Sequence, residues 1–266
     1  MKAIKWSAPK SSAVIDRRSV VNPGQARALL AAVTITPRTG KRLTAFFGCI
    51  YYSALRPEEA VDVRAHNLDL PESGWGWIIL EVAAPDTGKA WSDSGQQRDS
   101  RQLKHRALGE TRRVPCPPEL TELLHQHIRE FGTDEVGRLF RGTRGGELAT
   151  VTYIRIWDRA RAEALTEDQY ASPLARRPYD LRHAAVSTWL NGGVGPAQVA
   201  EWAGHSVDVL LKIYAKCLDG EESIALKRIG EALGHQPKRP ITKKTAPARK
   251  RPPSPPSTPR TPRMQR

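Results

Sequence analysis

The stretch LTAFFGCIYYSAL, residues 43–55, restricts the fold of this chain more than any other segment. Wound as a helix it is apolar on almost every side, so it offers no polar face to water. It is far too short to cross a bilayer, which takes about 20 apolar residues. It must therefore be a buried helix, covered by other elements. Arg56 follows it directly, then Pro57 and, three residues after the arginine, Glu59. An arginine at the end of a buried helix is costly unless it pairs or meets an anion. Arg56 thus has two readings: a pair with Glu59 that caps the junction, or an anion site.

Around that helix the sequence predicts shorter elements. Asn22 is placed to cap a helix starting at Pro23, with Ala26, Leu29, Leu30 and Val33 as its apolar face. The residues before Asn22 lack periodicity and read as a linker, 1–21. Pro57 opens a further helix, PEEAVDVRAHNL. GWIILEV at 76–82 is dense in strand formers, and SRQLKHRA and TRRVPC flank a glycine-containing loop as the arms of a β-hairpin. Pro117 and Pro118 introduce the helix ELTELLHQHIREFG, and another helix covers about 151–165. Short helices at 181–191, 196–203 and 206–216 are punctuated by Gly-Gly and Gly-His, and a last one spans about 221–233. Helices, a small sheet, then helices again make the fold class α+β, mostly α, in one domain over residues 22–235.

Charge separates that domain from the C-terminal segment. The 266 residues carry a net +14, yet 236–266 holds 10 Lys or Arg, no acid and 9 of the 21 prolines. Residues 1–235 keep 32 basic and 28 acidic side chains, a net of only +4. The tail cannot bury enough apolar area to offset its chain entropy, so it is expected to be disordered. Its basic run, Lys238, Arg239, Lys243, Lys244, Arg249, Lys250 and Arg251, suits a polyanion such as nucleic acid. A solvated tail with no specific task is the alternative. No lipidation signal or signal peptide supports a membrane partner. Cys49, Cys116 and Cys217 are far apart and lack metal spacing, so they read as the reduced thiols of a cytoplasmic protein.

Several enzyme signatures are missing, including a phosphate-binding Gly-rich loop and a dinucleotide fingerprint. His125 and His127 lie two apart on a helix, point to different faces, cannot share a metal, and read as surface residues. Basic groups and one tyrosine remain. YDLRHAA presents Tyr179, Arg182 and His183 at a helix start, AGHS presents His205, and Lys104 lies on the first arm of the expected hairpin. In a helix from Ser206, Val207, Leu210, Leu211 and Tyr214 form one apolar stripe, so Tyr214 reads first as a core residue. Each of these has an ordinary explanation when taken singly.

Taken in order they form a pattern: Arg-x-x-Glu after an apolar helix, a hairpin lysine before RRVP, Leu-Arg-His, Gly-His-Ser, and a tyrosine nine residues after that histidine. This resembles the tyrosine recombinase (phage integrase) family over about residues 22–232, most specifically in YDLRHAAVSTWLNGGVGPAQVAEWAGHSVDVLLKIYAK. The resemblance implies a helical catalytic domain with a small antiparallel sheet. It implies that Arg56 and Arg182 clamp the scissile phosphate, with Glu59 orienting Arg56. His205 would donate a further hydrogen bond, and Lys104 would protonate the departing 5′-hydroxyl. Tyr214 would be the nucleophile, leaving a 3′-phosphotyrosine. The ester retains the bond energy, so no cofactor and no metal is implied. The partner is double-stranded DNA, on which the full-length family form is a homo-tetramer, in the cytoplasm of a bacterium or phage host.

Two departures stand out. Tyr179 stands with the catalytic residues at a position where the family usually has histidine: a phenol can still donate to a phosphate oxygen, but it is a poorer base than imidazole at neutral pH. Removal of the Tyr214 proton is then open, with His205 as one candidate to share it. The family's N-terminal DNA-binding helical domain also has no counterpart before residue 22, which predicts weak and unselective DNA binding. A non-catalytic DNA-binding remnant and a type IB topoisomerase are the competing readings. The spacing from Arg182 through His205 to Tyr214 argues against the second.

Overall fold

The computed structural model describes residues 15–88, 90, 92, 97–103, 109–214 and 221–234. Lys104, Cys217 and the basic tail lie outside the described residues. The chain divides into two units at Ala225 and Leu226.

The apolar run forms helix α2, Gly40–Tyr52, buried from Leu43 through Tyr51. It packs against α1 (Pro23–Ile35), α4 (Pro118–Phe131) and α7 (Asp180–Asn191), while α5 (Thr150–Ala164) lies on α1. Aromatic rings fill the space between α2 and α5. Phe46 meets Phe140 edge-on and Tyr153 at 5.1 Å, and Phe47 lies 5.0 Å from Trp157. Such packing is what an all-round apolar helix requires. Asn22 caps α1 as expected: its side chain accepts from the Gln25 N–H, and the Gln25 side chain accepts from the Asn22 N–H.

Strands β1 (Leu68–Asp69), β2 (Gly76–Leu80) and β5 (Arg112–Cys116) make an antiparallel sheet in the order β1-β2-β5. A separate pair joins β3 (Val82–Ala83) to β4 (Arg101–Gln102). The expected hairpin between SRQLKHRA and TRRVPC is thus corrected: each arm pairs with a different upstream strand, and Arg112 lies opposite Leu80. Alternation puts Arg112, Val114 and Cys116 on one buried face of β5.

The helix expected over PEEAVDVRAHNL is also shorter. Helix α3 runs only Pro57–Val61, and a 3-10 turn follows at Ala65–Asn67. Asp62 explains the break, because it is buried and holds Arg138 at 3.0 Å and Arg64 at 3.2 Å. The Asn67 side chain then accepts from the Arg64 N–H, which favours a turn over a helix. His127, read as a surface residue, is buried. Its Nε2 lies 2.9 Å from the Leu139 carbonyl, with the rings of Phe131 and Phe140 beside it.

The described part of the linker is not loose. Arg17–Ser19 form a 3-10 turn, the Ala175 N–H donates to the Ser19 carbonyl, and the Ile15 N–H donates to the carbonyl of Ile213. A short helix that the sequence did not predict, α6 (Glu167–Ala171), leads to α7 and then to α8 (Pro196–Ala203) and α9 (Val207–Tyr214). Helix α10, Glu221–Ala232, straddles the division between the two units. No helix among the described residues is long and apolar enough to cross a membrane.

Candidate active site

Four chain segments converge behind β5. Helix α2 ends at Tyr52, and Ala54 takes a positive φ of 49°, so the backbone turns sharply before Arg56. Arg56 is the N-cap of α3, where Glu59 serves it twice. One carboxylate oxygen accepts from the Arg56 N–H at 2.8 Å, and the other from Nη1 at 2.7 Å. The same carboxylate accepts from Arg112 Nη1 at 3.0 Å and Nη2 at 2.6 Å. All three residues are buried. The pairing of Arg56 with Glu59 is therefore present, and Arg56 also belongs to a cationic cluster.

Burial raises the Glu59 carboxyl, but Arg112, Arg56 and Arg182 outweigh it and bring the group down to about 2. One carboxylate thus compensates two arginines that touch it and a third nearby. Arg112 went unread in the sequence, although its alternation with Val114 and Cys116 placed it on the apolar face.

Arg182 projects from the first turn of α7 and is fully buried. Its guanidinium donates to the carbonyls of Ala54 and Ala203, and Nη2 also reaches His205 Nε2 at 3.0 Å. Arginine can only donate, so His205 Nε2 is the acceptor and the ring proton sits on Nδ1. His205 lies in the turn between α8 and α9, after Gly204. That turn requires glycine. Gly204 has a φ of 64°, and a Cβ there would fall 2.3 Å from Arg112 Nη1 and 3.3 Å from Arg56 Nη1. Its carbonyl accepts from Arg56 Nη2 at 2.8 Å.

Helix α9 carries Tyr214 into the same site. The expected stripe is narrower than its spacing suggested: Leu210 and Tyr214 are fully buried, whereas Val207 and Leu211 are each 41 % exposed. Tyr214 belongs to one buried cluster with Ala54, Ala185, Val199 and Ala203, and its hydroxyl lies 3.0 Å from His183 Nδ1. Tyr179, the N-cap of α7, sets its ring 5.1 Å from His183 and 6.0 Å from the Arg182 guanidinium carbon. His183 was named in the sequence only as a neighbour of Arg182, and no role was read for it. The structure therefore joins Arg56, Glu59, Tyr179, Arg182, His205 and Tyr214 and adds Arg112 and His183.

Three buried N–H donors in this cluster have no hydrogen-bond partner among the described residues: Arg112 Nε, Arg182 Nε and His205 Nδ1. Each such donor costs about 1–3 kcal/mol. A buried, cationic, donor-rich cluster of this kind suits an oxyanion such as phosphate. Burial and the arginines push His205 down to about 3, and burial with Arg182 and Arg177 pushes His183 to about 4, so both rings are neutral at pH 7.

These shifts fix a pH dependence. Both histidines have folded values below the ordinary 6.5. The stability they contribute is complete above that value and drains as pH falls toward the folded ones. Denaturant unfolding should show level stability above pH 7 and a loss of about 1–2 kcal/mol per histidine by pH 5. Glu59, whose ordinary value is 4.5, adds its own loss below that as pH falls toward about 2. Glu59→Gln should cost about 3–5 kcal/mol at pH 7, since it strands two buried guanidiniums. Flat stability from pH 7.5 to 5, or a neutral Glu59→Gln, would contradict this electrostatic description.

With this geometry in view, residues 19–221 match the profile of the phage integrase family. Among curated protein sequences none matches significantly. Solved structures share the fold at low identity. The Tn1549 transposon integrase, residues 82–397, in complex with circular intermediate DNA, is 15% identical with a TM-score of 0.58, over 81% of this chain and 68% of that one. The XerA recombinase is 19% identical with a TM-score of 0.53, over 83% and 66%. XerH site-specific recombinase bound to a palindromic difH substrate is 14% identical with a TM-score of 0.54, over 82% and 53%. The family profile spans most of the chain and every described residue of the site, and the chain belongs to the phage integrase family.

Proposed function

We propose that this chain is a tyrosine-type site-specific DNA recombinase that cuts and rejoins double-stranded DNA through a 3′-phosphotyrosine. The observation that carries the reading is the convergence of a buried tyrosine hydroxyl with Arg182, His205 and Arg56 around donors that have no acceptor among the described residues.

On this reading the scissile phosphate takes the place of the missing acceptors. Arg182 and Arg56 bind its non-bridging oxygens, and His205 donates through Nδ1–H, the nitrogen left with the proton. Glu59, itself anchored by Arg112, fixes Arg56 through Nη1 while the Gly204 carbonyl holds Nη2. Tyr214 Oη attacks phosphorus and the bond to the 5′-oxygen breaks. Lys104, outside the described residues, is proposed to protonate that oxygen. The liberated 5′-hydroxyl of a partner strand reverses the step, so the ester's energy drives rejoining. Tyr179 is assigned to the wall of the site, packed on His183. Exchange is proposed to take place in the family's tetrameric assembly on DNA, in the cytoplasm.

Tyr214→Phe keeps the packing of α9 and removes only the hydroxyl. Folding should survive, while covalent capture of a nicked suicide duplex disappears. A Phe variant that still forms the adduct would refute the assignment of the nucleophile, and a large stability loss would return Tyr214 to the core. Arg56→Lys or Arg182→Lys keeps charge but loses the planar fork. Each should slow single-turnover cleavage by orders of magnitude, about 10²-fold or more, with little change in DNA affinity. Parallel losses in binding and cleavage would make them ordinary contact residues.

The basic tail, Lys238 to Arg251 and beyond, is assigned to non-specific contact with the DNA backbone. Deleting residues 236–266 removes 10 positive charges, which should weaken binding and flatten its dependence on salt. An unchanged salt slope would mean that the tail never touches DNA.

A further inference from the structure

Nucleophilic attack by a phenol at neutral pH needs a place for its proton. Tyr179, at the position where the family usually has a base, is a phenol itself. His205 already spends Nε2 as an acceptor for Arg182 and holds its proton on Nδ1. His183 differs on each count. Its Nδ1 lies at hydrogen-bond distance, 3.0 Å, from the Tyr214 hydroxyl, and it is held there from both sides by Tyr179 and Tyr214.

We propose that His183 is a catalytic residue of this chain, the general base that takes the proton of Tyr214 as its oxygen attacks phosphorus. The inference rests on the recombinase reading and assigns a step that reading leaves without an owner.

The step balances with the atoms present. The Tyr214 O–H bond breaks and its proton passes to His183 Nδ1, in the tautomer that carries a proton on Nε2. The Oη–P bond forms, the P–O5′ bond breaks, and the leaving oxygen takes a proton from the general acid on the opposite side. The groups facing His183 are Arg177, Tyr179 and Arg182 from α7 and its lead-in, His205 from the turn after α8, and Tyr214 from α9. None of these is a carboxylate. Burial and the two arginines hold the ring neutral at pH 7, which is the form a base must have. The phosphate of bound DNA then adds a negative charge nearby and stabilises the imidazolium that forms.

The register of the helix makes the pairing possible. Residues 179 and 183 are four apart and share one face of the start of α7, while Arg182 turns inward to the clamp. A tyrosine in the first position therefore packs the base into place. It does not compete with it for the proton.

The test uses the full chain and a library of nicked duplexes of randomised sequence with a 5′-bridging phosphorothiolate at the cleavable bond. A thiolate leaves without protonation, so the rate reports the nucleophile side only. Sequences captured covalently by the wild-type protein are recovered, and one of them is used for single-turnover kinetics. The wild-type rate should be level from pH 6 to 9. His183→Gln should be slower by about 10²-fold or more at pH 7 and should gain about tenfold per pH unit, as solvent replaces the missing base. His183→Asn is run beside it, with helicity and melting checked, so that misfolding of one substitution does not decide the outcome. A variant within threefold of wild type, or one slowed equally at every pH, overturns the proposal and leaves His183 a packing residue. Failure of the wild-type protein to capture any duplex would instead refute the recombinase reading itself.

Discussion

The structure of the site depends on one carboxylate. Glu59 holds Arg56 and Arg112 together in a buried place where two guanidiniums would otherwise repel each other. Desolvating the three groups is expensive, and only the bidentate geometry toward Arg112 together with the cap on Arg56 offsets it. Well-packed hydrophobic residues in place of all three charged groups together would be as stable or more so by the usual balance. What they would lose is the array of fixed donors. Under the proposed function, the charge arrangement is preorganisation for an anion, at a cost in stability.

The surrounding elements conform to that arrangement. Helix α2 is buried on every side, so its end can deliver Arg56 only after the sharp turn at Ala54. Gly204 must lack a Cβ because the two guanidiniums lie against it. The α8–α9 turn that it allows puts His205 on Arg182 and sends α9 back toward the core with Tyr214 at its end. The burial of Tyr214 is thus compatible with the role of nucleophile proposed for it. Tyr214 is a core residue by its ring, and the proposed function makes its hydroxyl the reactive group.

Much of this was legible in the sequence, for particular reasons. The capping of α1 at Asn22 and the central position of α2 come from local rules that nothing in the tertiary structure opposed. Arg56, Arg182, His205 and Tyr214 were found through their order along the chain, and local periodicity left each with a bland explanation. The pairing of β5 was missed because strand partners distant in sequence cannot be read from a flanking glycine. Two side chains that the structure adds to the site were missed although each left a signal. Arg112 is in phase with Val114 and Cys116 on β5, and His183 is four residues from Tyr179 on α7. His127 likewise succeeds Leu120 and Leu124 on the buried face of α4, a charge-capable residue in an apolar stripe. In all three cases the polar identity of the residue hid its position.

The central claim is that the hydroxyl of Tyr214 becomes joined to DNA. The most direct measurement is to digest the covalent adduct formed on a captured duplex with protease and nuclease and to locate the residual nucleotide by mass spectrometry. The account predicts a nucleotide attached through its 3′-phosphate to the peptide that contains Tyr214. A nucleotide on Tyr179 or any other residue, or one attached through its 5′ end, would contradict it.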